Sequence, residues 1–80
     1  MSYIRAEQLE EVLDDVRAKH GPRWVWVLER WYGLRGAPKM TYSAMGEELG
    51  VTAQRVFQIR KKATDAAVRL LRMRGGAEVV

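Results

Sequence analysis

The chain has 80 residues, no cysteine and a single histidine, His20, which limits it to one domain near the lower size for folding without disulfides. The absence of cysteine excludes disulfides and thiolate metal sites, and one histidine cannot form a metal site alone. We expect a cytoplasmic protein on this basis. The longest apolar run, WVWVL, is much shorter than the ~20 apolar residues of a membrane span, so we expect no membrane association.

The formal net charge of +4 is unevenly distributed. Residues 1–20 carry three cationic and five anionic side chains, and residues 41–51 carry two anionic side chains and no cationic one. Residues 52–80 carry seven cationic and two anionic side chains. A basic segment of this kind is typical of nucleic-acid-binding proteins, although a solvated helix face gives the same pattern. Charge alone leaves both interpretations open.

The first predicted element is a helix over residues 4–19, whose apolar residues recur three and four positions apart along one face. These apolar residues are Leu9, Val12, Leu13 and Val16. Acidic side chains fill the opposite face, which we interpret as a solvated surface. Pro22 disfavours helix in the residue before it and suits the first turn of a new helix, so a second helix is predicted over residues 22–33. His20 is expected to interact with the dipole at the end of the first helix.

Two further helices are predicted over residues 41–50 and 52–72, each following a threonine that can cap it. Residues 75–80 are expected to form a flexible tail, which leaves residues 1–74 as a single helical domain. No sustained alternation beyond the tetrapeptide WVWV indicates a strand. The predicted fold is therefore all-α, a bundle of three to four helices.

The junction between the last two predicted helices has the residue spacing of a helix-turn-helix. Steeply crossing helices need a small residue where they pass, which Gly46 provides, and the turn needs a residue at positive φ, which Gly50 provides. The other five positions of the pattern are apolar and are expected to pack together: Met45, Leu49, Val51, Val56 and Ile59. Because all seven positions match, the bundle is predicted to contain a helix-turn-helix.

With Val56 and Ile59 facing inward, the opposite face of the last helix, over residues 52–62, is expected to enter the major groove of DNA. The predicted base-reading residues are Ala53, Gln54, Phe57 and Gln58. Glutamine can pair with adenine, and alanine or phenylalanine can contact a thymine methyl group. An alternative for Phe57 is a half-buried position that covers the start of the helix.

A second group of residues is predicted to contact DNA phosphates, which position a protein without reading sequence. Side-chain cations and the N–H groups at two helix starts supply these contacts. The predicted phosphate-binding residues are Thr41, Thr52, Arg55, Arg60, Lys61 and Lys62.

Three stretches of the chain, VLERWYGL, TYSAMGEELGVTAQRVFQIRKKA and RLLR, resemble region 4 of the bacterial primary-type sigma factors over residues 22–72. The resemblance implies a helical domain that binds the promoter −35 element through its last helix and docks on the flap-tip helix of the RNA polymerase β subunit. Gln58 and Arg55 match positions where the family has base- or phosphate-contacting residues. Ala53 and Gln54 replace an Arg–Glu pair that reads the −35 bases, which implies an altered or lost sequence preference.

The rest of a sigma factor has no counterpart in this sequence, because the aromatic-rich region that reads and melts the −10 element is absent. Together with the initiating Met1 and the acidic first helix, this favours a small stand-alone protein, encoded by a phage or a plasmid, over a complete sigma factor.

Trp24, Trp26 and Trp31 cannot all lie on one side of a single helix, since successive residues are separated by about 100°. One interpretation places all three in the core of a small domain. In the other, these tryptophans form a partner-binding surface, with Trp26 above all as the exposed anchor, because tryptophan is enriched at interface hot spots.

Three hypotheses for function follow. The first is a sigma region 4-like DNA-binding transcription regulator, which can also dock on RNA polymerase. The second is a protein-interaction module that binds RNA polymerase or a sigma factor without specific DNA reading. The third is a dimeric helix-turn-helix repressor, so both a monomer and a homodimer stay open. No nucleophile–base pair, phosphate-cradling glycine loop or metal-ligand spacing is present, so we expect neither an enzyme nor a bound cofactor.

Overall fold

The computed structural model describes residues 5–74, and every regular element in that range is helical. The elements are α1 (Ala6–Glu11), α2 (Leu13–His20), α3 (Pro22–Tyr32), a 3-10 turn (Leu34–Gly36), α4 (Tyr42–Leu49) and α5 (Ala53–Met73). The predicted all-α class is confirmed for these residues. None of these helices is both long and apolar enough to cross a membrane. The predicted tail at residues 75–80 lies outside the described residues, as do residues 1–4.

The first predicted helix is divided in two at Val12, whose backbone has φ −111° and ψ 7°. The Val12 N–H donates to the carbonyl oxygen of Leu9 at 3.1 Å, a bond that spans three residues instead of the four of an α-helix. Val12 and its apolar neighbours Leu13 and Val16 are nevertheless fully buried. Apolar periodicity therefore identifies the buried face, but it does not detect a local backbone change that keeps this face buried.

Two groups of buried apolar side chains lie along α3 and α5. The first core cluster joins α1, α2 and the C-terminal half of α5, and consists of Leu9, Val12, Leu13, Val16, Val25, Leu28, Leu34, Ala63, Ala67, Leu70 and Leu71. The second core cluster lies where α4 meets the N-terminal half of α5, and consists of Val27, Met45, Val56 and Ile59. Because α3 and α5 contribute to both clusters, these two helices hold the ends of the molecule together.

The acidic face of the N-terminal helices is only partly a solvated surface. Glu10 accepts a hydrogen bond from the backbone N–H of Arg35 at 2.9 Å, and Asp14 forms an ion pair with the Arg35 guanidinium at 3.5 Å. Arg35 has a left-handed backbone (φ 53°), which is rare for a residue with a side chain. The two carboxylates therefore contact the loop that follows α3, which the sequence pattern does not indicate.

The connection between α4 and α5 depends on two glycines. Gly50 ends α4 with φ 74°, a left-handed conformation that costs other residues energy. Gly46 is buried, and a Cβ atom on it would lie 2.6 Å from the carbonyl oxygen of Val51, which is too close for any side chain. The backbone of the turn therefore packs directly on α4. Gly50 has the positive φ that the sequence predicts, and Gly46 lies at a close approach as predicted, although its neighbours are the turn and the first residue of α5.

Candidate nucleic-acid interface

The N-terminal half of α5 exposes most of the side chains predicted to contact DNA. Val56 and Ile59 are buried against α4, so the opposite face of the helix is directed to solvent. The exposed members of the predicted set on this helix are Gln54, Arg55, Phe57, Gln58, Lys61 and Lys62, whereas Ala53 is half-buried. Their common exposure on one helix face is shown, and their contact with DNA stays a prediction.

The starts of α4 and α5 are both capped by threonine, as predicted. The Thr41 hydroxyl accepts a hydrogen bond from the Ala44 N–H, and the Thr52 hydroxyl accepts one from the Arg55 N–H, each at 3.1 Å. These bonds satisfy the third N–H of each helix, and the first two have no partner within the helix. Such N–H groups at the positive end of a helix dipole favour anions.

Arg60 differs from the other predicted phosphate contacts, because it is half-buried and its Nε donates a hydrogen bond to the Tyr42 hydroxyl at 3.2 Å. Burial lowers the pKa of Arg60, but the hydrogen bond with Tyr42 and the electrostatic effects of Tyr32 and Tyr42 outweigh burial, so the net pKa is raised. Arg60 is a cation, as arginine is throughout proteins, and its hydrogen bond to Tyr42 holds it against α4. A phosphate contact through its remaining N–H groups stays a prediction.

Three aromatic rings form a row that connects α3, α4 and α5. Trp31 stacks on Tyr42 with ring centroids 4.1 Å apart and an interplanar angle of 13°. Tyr42 meets Phe57 edge to face at 5.6 Å and 71°, and Phe57 keeps 39% of its surface exposed. Phe57 thus packs one edge against α4 and is otherwise exposed, not half-buried over the start of its own helix, and its contact with a thymine methyl group stays a prediction. Sequence reasoning missed Tyr42, because no periodicity links the first residue of one helix to the middle of the next.

The three tryptophans are all half-buried and pack against the two core clusters. Trp24 stacks on His20 with centroids 4.1 Å apart, and the guanidinium carbon of Arg30 lies 4.3 Å from the centre of the Trp26 ring. The core interpretation agrees with this packing. In the other interpretation Trp26 is an exposed anchor, but its ring is half-buried against the second core cluster and the Arg30 guanidinium lies over it. Partner binding by the tryptophans stays a prediction.

Surface hollows lie on two sides of this region. One is lined by Trp31, Tyr32, Lys39, Met40 and Thr41, and has a volume of about 490 Å³. Another lies on α5 and is lined by Gln58, Lys61, Lys62 and Asp65. Within residues 5–74, no three acidic or histidine side chains converge on a point that could hold a metal ion.

The chain matches no model of a known protein family, no curated protein and no solved structure. The resemblance to region 4 of sigma factors therefore depends on the sequence motifs given above.

Proposed function

We propose that this chain is a DNA-binding transcription regulator in which α4 and α5 form a helix-turn-helix. The observation that carries this proposal is the exposed polar and cationic face of α5, directly after a turn whose close packing requires glycine at position 46. An α-helix has a diameter of about 10–12 Å with its side chains, which fits a major groove about 12 Å wide.

The side chains on this face can supply both kinds of DNA contact, hydrogen bonds to base edges and positive charge for phosphates. Gln54 and Gln58 are four residues apart, so they lie on the same side of α5 and can each offer a donor and an acceptor to an adenine. Arg55, Lys61 and Lys62 form no ion pair with any residue from 5 to 74, so their charges are available for phosphates. Base reading and phosphate binding thus have separate side chains on one helix.

A titration of duplex DNA with the protein at increasing salt tests the proposal. Each neutralised phosphate contributes about −0.9 to the slope of log K against log salt. The triple variant Arg55→Gln, Lys61→Gln, Lys62→Gln removes three cations, so we expect the slope to become shallower by about 2.7. Fluorescence anisotropy with duplexes selected from a random library provides the measurement.

A matched control removes the same charge from exposed positions on α2 or beside α1, through Arg5→Gln, Arg17→Gln and Lys19→Gln. We expect this control to change the slope far less than the first triple variant. Equal effects of the two triple variants would show that net charge, and not the α5 face, causes binding.

A second candidate, a module that binds RNA polymerase or a sigma factor, is favoured by the hollow that Trp31, Tyr32 and Met40 line. This hollow combines apolar side chains with one cation, Lys39, as protein-binding surfaces commonly do. Capture of purified RNA polymerase core, or of its isolated β-flap, at micromolar concentration is expected if this surface docks on the polymerase. A variant with Met40→Glu should lose capture and keep DNA binding.

A further inference from the structure

A small groove adjoins the proposed DNA-binding face and shares only Lys62 with the residues proposed above to bind DNA. We name it the His20 groove, and its lining residues are His20, Trp24, Lys62, Asp65, Ala66 and Arg69. It shares Lys62 and Asp65 with the hollow lined by Gln58 and Lys61. The surface is therefore continuous from the middle of α5 to the junction of α2 and α3.

The size and charge of the His20 groove favour a small anionic group. Its volume of about 170 Å³ is below the ~300–1,000 Å³ of pockets that bind drug-sized molecules. Lys62 and Arg69 bring two cations and Asp65 one anion, and none of the three forms an ion pair with residues 5–74. His20 is exposed and stacks on Trp24 at an interplanar angle of 9°, so Trp24 covers one face of the ring and the stack leaves the ring nitrogens uncovered.

The His20 groove lies at a distance from the start of α5 that corresponds to the phosphate backbone at the edge of the DNA major groove. The major groove of B-DNA is about 8.5 Å deep, and Arg69 lies eleven residues beyond Gln58, or roughly 16 Å along a helix that rises 1.5 Å per residue. If α5 is tilted so that only its N-terminal end points into the groove and contacts base edges, Arg69 lies farther along the helix axis than the groove is deep. The phosphate backbone is the part of the duplex at that distance.

We propose that the His20 groove binds a backbone phosphate at the edge of the same major groove, with Lys62 and Arg69 as cationic contacts and the His20 ring as a hydrogen-bonding group. This proposal depends on the proposed function, and it extends the DNA contact from the first half of α5 to the α2–α3 junction. Asp65 is then the one unfavourable charge in the site.

Two substitutions with opposite expected effects test the His20 groove. Arg69→Gln removes one phosphate contact, so the slope of log K against log salt should become shallower by about 0.9, and the loss of affinity between 50 and 200 mM salt should shrink roughly threefold. Asp65→Asn removes the repelling charge and should tighten binding. Because a folding defect cannot tighten binding, a higher affinity of Asp65→Asn cannot be explained by a loss of folded protein.

Arg5→Gln and Glu7→Gln make the same changes of net charge on or beside α1, outside the groove, and are expected to have clearly smaller effects. If Arg69→Gln and Asp65→Asn act no more strongly than these controls while the wild-type chain still binds DNA through Arg55, the His20 groove proposal is wrong and the proposed function stands. If the wild-type chain shows no salt-dependent DNA binding, the proposed function is wrong as well.

Discussion

The two ends of the molecule differ in the side chains that form their core clusters and their surfaces. The buried side chains of the first core cluster are all aliphatic, and only two half-buried aromatic rings, Trp24 and Tyr32, pack against it. The helices that cover it, α1 and α2, carry five acidic side chains. The second core cluster has only four buried members and is closed by half-buried aromatic and apolar side chains. Among these are Trp31 and Tyr42, and the exposed Phe57 contacts Tyr42. Its outer surface on α5 is polar and cationic.

This difference indicates that the two halves of α5 have different roles, one in stability and the other in presenting the polar face. Burial of aliphatic side chains is the main source of stability in a small domain, so the first core cluster should carry most of the free energy of unfolding. The smaller second cluster holds α4 and the turn in place, and it leaves the polar face of α5 free. Substitutions in the two clusters should therefore separate stability from DNA binding.

The largest expected effect is on stability, from Leu13→Ala in the first core cluster. Leu13 is fully buried, and truncation of a buried leucine costs about 2–5 kcal/mol of unfolding free energy. Urea denaturation measures this loss. At a temperature where the variant is still folded, its DNA affinity should equal that of the wild type, and a parallel loss of affinity would contradict the separation.

Compared with Leu13→Ala, Gly46→Ala is expected to lose less unfolding free energy and more DNA affinity. The new Cβ atom would lie 2.6 Å from a backbone oxygen, so α4 and the turn must move apart, at a cost of about 1–3 kcal/mol as for other overpacked sites. DNA affinity should fall even for the folded protein, because α5 is displaced relative to α4.

Gly50→Ala serves as the comparison for Gly46→Ala. Its Cβ atom would meet nothing within 4 Å, so only the left-handed backbone conformation opposes it, at about 1–2 kcal/mol. We expect a loss of stability similar to that of Gly46→Ala with a much smaller loss of DNA affinity.

The smallest effect is expected from Tyr42→Phe, which removes the hydroxyl that accepts the Arg60 hydrogen bond and keeps the stack with Trp31. A single hydrogen bond of this kind contributes about 0.5–1.5 kcal/mol. Thermal or urea unfolding will detect the loss. Tighter DNA binding by this variant would show that the hydrogen bond holds Arg60 away from phosphates. Weaker DNA binding would show that the hydrogen bond positions Arg60 to contact a phosphate.

The sequence could predict those features that local chemistry dictates. The apolar spacing of Val56 and Ile59 identifies the buried face of α5, and steric limits on Gly46 and Gly50 indicate the turn. Contacts between distant residues could not be predicted in this way. The Arg60–Tyr42 hydrogen bond depends on how α4 and α5 pack, and the apolar periodicity of the sequence does not predict that packing.

The N-terminal region shows the same limit. The predicted continuous helix is interrupted at Val12, and the interruption leaves the apolar pattern unchanged, since the residue is buried on either backbone path. The stacking of His20 on Trp24 across the α2–α3 junction also depends on the angle between two helices, which the helix-breaking residues Gly21 and Pro22 permit without specifying.

Amide chemical-shift mapping by NMR shows which residues contact duplex DNA. On addition of duplex DNA at low salt, we expect the largest shifts at residues 52–62, on the outward face of α5, with smaller shifts near Arg69 and none along α1. Shifts concentrated at α1 or around Trp26, with α5 unaffected, would contradict this expectation.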